Sequence, residues 1–192
     1  MNFKQIAFTL VIFGFNLFYI SDGKRSLYDL RMDSVNCTDS GLYGKMDCGV
    51  DVINSTVSHI QLNFTAIKDF HPMVRIAFFY RYTTYRSFLL DVNEDFCAFI
   101  REDQPARVTN YFWPTLKDAS NFAEGCPFQK DHIYYIKDYA MDMSSFPPIL
   151  PTGDYRVDIE LKERSDDSPI ALVQIFAFIK RKSIAELIWS KD

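Results

Sequence analysis

The chain has 192 residues, 48% of them hydrophobic, and a formal net charge of -4 at pH 7. That length supports one domain with a real core and leaves too little for a comfortable second one. The acidic balance and the lack of a basic stripe exclude a nucleic-acid partner, while 18 Phe and 11 Tyr call for a thick β core or an apolar cavity walled with rings.

Residues 1–23 read as a cleaved secretory signal. Lys4 gives a positive start, an apolar run extends from Ile6 to Ile20, and Ser21 and Gly23 supply the small residues that precede a cut. The expectation is a secreted, extracellular domain over 24–192, about 170 residues long and not membrane-spanning after cleavage. In an oxidising compartment the four cysteines Cys37, Cys48, Cys97 and Cys126 are expected to form two disulfides. Of the three possible pairings, the local one is preferred: Cys37 with Cys48 and Cys97 with Cys126. Three sequons, beginning at Asn36, Asn54 and Asn63, fit N-glycosylation of a secreted chain.

Period-two patterns then dominate. Strands are expected at 27–35 and 46–53, around the first two cysteines. At 59–66, Ile60, Leu62, Phe64 and Ala66 alternate with His59, Gln61, Asn63 and Thr65, which puts the Asn63 sequon on a solvent face. Residues 74–81 alternate likewise and turn near Thr83-Thr84 into 87–92, a hairpin. Between Cys97 and Cys126 the pattern changes. Val108, Phe112 and Leu116 recur at helical spacing, predicting one or two short helices, with Pro114 expected to kink or end one of them.

A strand is expected at 133–137, followed by an irregular apolar stretch at 140–151 with Met141, Met143, Phe146, Pro147, Pro148 and Ile149. This stretch either covers the edge of the core or forms the mouth of a pocket. The clearest strand is 155–162, where Tyr155, Val157, Ile159 and Leu161 alternate with Arg156, Asp158, Glu160 and Lys162. After a polar turn at 164–169, both alternating sets of 170–179 are apolar, as in a strand covered on two faces or facing a partner. Lys180-Arg181-Lys182 is then either a solvated strand end or a contact for anionic lipid headgroups. This succession predicts an all-β, antiparallel sandwich.

No catalytic constellation is present in the sequence. There is no G-x-S-x-G elbow, no H-E-x-x-H, no phosphate-cradling loop and no dinucleotide fingerprint. His59, His71 and His132 lack metal-ligand spacing to any cysteine. The expectation is a protein that is not an enzyme, with no cofactor and no metal.

Several motifs occur in order along the chain: Val35-Asn36-Cys37, Asp95-Phe96-Cys97-Ala98-Phe99-Ile100, Asn110-Tyr111-Phe112, Ser120-Asn121, Cys126-Pro127-Phe128 and Leu150-Pro151-Thr152-Gly153-Asp154-Tyr155. In this order they resemble an insect family of secreted proteins of unknown function, related to the chemosensory B proteins. That group is in turn similar to the ML lipid-recognition superfamily, which includes the Niemann-Pick sterol carrier and the ganglioside activator protein. The resemblance implies an immunoglobulin-like β-sandwich whose sheets part to hold a lipid or other apolar small molecule, in a chemosensory or pheromone-related setting. Inward strand positions then give the expected lining: Ile60, Leu62, Phe64, Ile76, Phe78, Phe88, Leu90, Tyr135, Val157, Ile159, Phe176 and Phe178, with Phe146 at the mouth. The competing reading is a filled core in an extracellular interaction module or receptor accessory subunit, with a membrane receptor as partner.

Overall fold

Alternation of apolar and polar side chains generates eight strands, and the computed structural model places them in two sheets; it describes residues 26–54, 57–102, 112–144, 146 and 148–189. The expected signal, Val108, Tyr111 and Pro147 lie outside the described residues. The strands are β1 (Tyr28–Asp39), β2 (Gly44–Val52), β3 (Ser58–Ala66), β4 (Pro72–Arg81), β5 (Tyr85–Asp95), β6 (Ile133–Tyr139), β7 (Gly153–Glu163) and β8 (Pro169–Arg181). Each falls on a segment expected from the sequence. Short helices α1 (Phe96–Glu102) and α2 (Trp113–Asp118) and a 3-10 turn (Phe122–Glu124) lie around and between Cys97 and Cys126; α3 (Ile184–Trp189), which was not expected, follows β8.

The larger sheet has the order β1-β8-β7-β4-β5 and the smaller one β2-β3-β6, with every pairing antiparallel. This is the expected two-sheet sandwich. Three strands cannot roof five, so the irregular 140–151 stretch closes the uncovered part. Its Met143, Phe146 and Leu150 are buried against Tyr28, Tyr155 and Ile179. Two tyrosines fasten it from the larger sheet: the Leu150 N–H donates to the Tyr28 hydroxyl at 3.0 Å, and the Tyr155 O–H donates to the Pro151 carbonyl at 2.7 Å. Burial raises the pKa of Tyr155, which keeps that donor protonated.

One expectation is corrected. Pro114 neither kinks nor ends α2; it sits in the first turn, where its missing N–H costs no helical hydrogen bond and its fixed φ suits the start of a helix.

Candidate functional site

The two edges of the sandwich are built differently, and the space between them is the candidate site. On one edge β1 and β2 are joined by the Cys37–Cys48 disulfide. The Asp39 carboxylate accepts the Met46 N–H at 3.0 Å and lies 3.4 Å from Lys45 Nζ. The Met46 hydrogen bond, with help from Lys45, holds Asp39 below the usual carboxylate range against the opposing effect of burial.

On the other edge no strand joins β5 to β6 among the described residues. The chain leaves β5 into α1, with the Asp95 carboxylate accepting the Ala98 N–H at 2.9 Å as a helix N-cap does. His71 Nε2 and Arg164 Nη1 each lie 2.8 Å from an Asp95 oxygen. Burial alone would raise the Asp95 pKa; the hydrogen bonds from Ala98 and His71, with the nearby Arg164 charge, outweigh it and hold the group low. Cys97 of α1 is bonded to Cys126, so both expected pairings are present. The exposed edge of β6 is closed by side chain and loop. The Asn121 amide oxygen accepts the Tyr135 N–H at 2.8 Å, its nitrogen donates to the Ile133 carbonyl at 2.9 Å, and the Lys137 N–H donates to the Ala119 carbonyl at 2.8 Å.

Between the edges lies a cavity of about 170 Å³. The smaller sheet lines it with Met46, Ile60, Leu62, Phe64, Tyr134, Ile136 and Tyr139. The larger sheet contributes Val74, Ile76, Phe78, Glu94, Val157, Ile159, Leu161, Ile170, Val173 and Ile175, and the helical edge adds Phe96, Phe99, Phe112, Trp113, Leu116 and Phe122. Phe70, Phe128 and Met141 complete the wall. Glu94 is the one charged side chain among these lining residues. The rings form a connected set: Phe128 stacks on Tyr134 at 4.1 Å between centroids, and Phe96 meets Trp113 edge-on at 5.6 Å. Such edge-to-face contacts fix ring positions and so set the cavity's shape.

Seven of the expected lining residues therefore meet in one place: Ile60, Leu62, Phe64, Ile76, Phe78, Val157 and Ile159. Phe146 does not line this cavity. It lies under the 140–151 cover, in a small adjoining void of about 30 Å³ that shares Phe78, Met141, Val157 and Ile175 with the main one. Phe88 faces the interior but packs on Tyr80 and Tyr155. A bulge opposite Ala77 and Phe79, with Leu89 at φ 61°, interrupts the alternation of β5 at this point, and Leu90, half-buried on the same edge strand, does not line the cavity either.

Tyr135, Phe176 and Phe178 point to the opposite faces, which corrects their expected placement. Tyr135 pairs with exposed Asn63 and has Lys137 Nζ 4.2 Å from its ring centroid. On β8 the smaller set, Val173, Ile175, Ala177 and Ile179, is buried. Phe176 and Phe178 lie outside, where Phe176 meets Tyr85 at 5.9 Å and Arg31 covers Phe178 at 5.4 Å. A guanidinium over a ring face gives an outward aromatic a favourable environment that alternation alone does not reveal. The lining from 96–128 was missed because it follows no strand period; its density of Phe and Trp beside a cysteine pair was the available signal.

The remaining candidates are committed elsewhere. Lys180 pairs with Glu186 at 2.7 Å and Lys182 with Asp29 at 3.1 Å, as in a solvated strand end. His71, Asp95 and Cys97 come close enough together to suggest a metal site, but Cys97 is in a disulfide and Asp95 already holds His71 and Arg164. Asn36, Asn54 and Asn63 are exposed. No described helix is long and apolar enough to cross a membrane.

Residues 74–157 match the family described as a protein of unknown function, DUF1091. The matched stretch contains the Asp95–Ile100, Cys126–Phe128 and Leu150–Tyr155 motifs. Among solved structures, the chain is similar to a Niemann-Pick type C2 protein from Japanese carpenter ant, with 16% identity over 73% of this chain and 96% of that one, at a TM-score of 0.36. No curated protein matches the chain.

Proposed function

We propose that this protein binds a lipid or other apolar small molecule between its sheets and acts as a secreted, non-enzymatic carrier. The observation that carries the reading is the cavity of about 170 Å³, whose lining residues are apolar apart from Glu94 and two tyrosines. Its size is close to that of engineered apolar cavities of about 150 Å³, which stay dry and take up benzene. Left empty, a void of this size forfeits on the order of 4 kcal/mol of packing at ~24 cal/mol per Å³. An apolar ligand restores those contacts and removes its own surface from water.

The leader at 1–23, the paired cysteines and the exposed sequons at Asn36, Asn54 and Asn63 support passage through the secretory pathway. The resemblance to the chemosensory B proteins supports a pheromone-related setting. A second reading, an interaction module docking on a membrane receptor, is favoured by the outward rings Phe79, Tyr85, Phe176 and Phe178 of the larger sheet.

The deciding measurement is native mass spectrometry of the deglycosylated protein secreted from insect cells, with lipid extraction in parallel. A stoichiometric adduct that leaves on denaturation is expected. A bare protein that also takes up no apolar probe would move the function to the outward face.

A further inference from the structure

One polar atom in the cavity region is left over by the fold. Tyr139, at the end of β6, lines the cavity and is 5% exposed, yet its hydroxyl is fully buried and has no hydrogen-bond partner among the described residues. The Thr115 hydroxyl is near enough to lower the Tyr139 pKa as a hydrogen-bonding neighbour, but no hydrogen bond forms between the two, and Thr115 donates to the Phe112 carbonyl at 3.1 Å. The other lining tyrosine is satisfied: the Tyr134 hydroxyl accepts the Gln129 N–H at 2.8 Å. A buried hydroxyl without a partner is costly, and folded proteins keep such groups where something else completes them.

We propose that Tyr139 is the polar anchor of this cavity. Its ligand is then a neutral apolar molecule with one hydroxyl or carbonyl group, such as a long-chain alcohol, an ester or a sterol, and not a fatty-acid anion. This rests on the carrier reading and narrows its ligand class. Two features set the class. A phenol can donate to a carbonyl or exchange hydrogen bonds with an alcohol, and burial raises the Tyr139 pKa, so the donor stays protonated. Among the described lining residues there is no Lys, Arg or His, and the one charged group is the carboxylate Glu94. A carboxylate ligand would enter a low-dielectric space with no cation among the described lining residues to receive it, which is strongly unfavourable.

The test is displacement of the apolar dye N-phenyl-1-naphthylamine by 1-decanol, decane and decanoate, from the wild-type protein and from Tyr139→Phe. The wild type is expected to bind decanol more tightly than decane by roughly fivefold, the net effect of one hydrogen bond, and to bind decanoate least. Tyr139→Phe should lose that preference and bind decanol no more tightly than decane. Its melting temperature without ligand should be unchanged or higher, because an unpaired hydroxyl has been removed.

A variant that still prefers decanol, or tight decanoate binding by the wild type, overturns the proposal and leaves the carrier reading intact. A lowered melting temperature also overturns it, since the hydroxyl would then have a partner in the empty protein. Failure of the wild type to bind dye or any of the three probes removes the carrier reading, and this proposal with it.

Discussion

The bridged edge and the helical edge each carry one disulfide and one low-pKa aspartate, yet they do opposite things. At the bridged edge the covalent link joins two long strands, β1 and β2, whose backbones are otherwise paired within their sheets. Nothing from that edge reaches the cavity except Met46. At the helical edge the link ties α1 to the chain just before β6, and six aromatic or aliphatic side chains from this segment line the cavity. A sandwich closed by regular structure on both sides would be all core. Replacing strand pairing with short helices on one side provides a wall that can be shaped by rings instead of by a hydrogen-bond ladder.

The disulfides test that contrast most severely. Replacing Cys37 and Cys48 together by serine, or Cys97 and Cys126 together, should in each case lower unfolding free energy by about 3 kcal/mol in the chain-entropy argument, read by urea denaturation. Only the second pair is expected to speed release of a bound apolar dye in stopped flow. Equal release rates would mean that the helical edge is a cover with no part in access.

Asp95 sharpens the comparison at a smaller scale. Asp95→Ala removes the cap of α1 and should cost about 1 kcal/mol at neutral pH. The folded-state pKa lies below the ordinary 3.8, so this stabilisation is fully present above that value and is lost as pH falls through the depressed one. Wild type and variant should therefore converge in stability in strongly acidic solution; a difference that persists there would assign the effect to the side chain's packing.

The smallest effect belongs to neither edge. Phe178→Leu, on the outward face, should cost about 0.5 kcal/mol through the lost contact with Arg31 and leave ligand affinity unchanged. A change in affinity would place that face within reach of the ligand.

The strands were legible because their burial is one-sided. β7 and β3 show it most plainly, and with them both sheets could be anticipated. Phase was legible only where the two faces differ in polarity. In β8 both sets are apolar, so nothing in the sequence says that Val173 and Ile175 turn inward while Phe176 and Phe178 turn out; the partners of those rings, Tyr85 and Arg31, come from other strands. In β6, Tyr134 and Tyr135 are chemically equivalent, and only register against Asn63 decides between them. The wall contributed by Phe96, Phe99, Trp113 and Leu116 depends on tertiary packing of short helices; the helical spacing of Phe112 and Leu116 predicts a helix there but not what it packs against. The orphaned Tyr139 hydroxyl is likewise a property of the assembled cavity.

The Cys37–Cys48 bridge also has a mechanical consequence. Because it joins two strands directly, whereas Cys97–Cys126 joins a short helix to the chain before β6, room for a large guest is gained more readily on the helical side. Strands lie about 4.8 Å apart, so a rotation of roughly 10° about the bridge would carry β6 outward by about 2 Å while leaving β2 almost in place. A guest with one narrow and one broad end would then fit best with its narrow end toward the Cys37–Cys48 bridge.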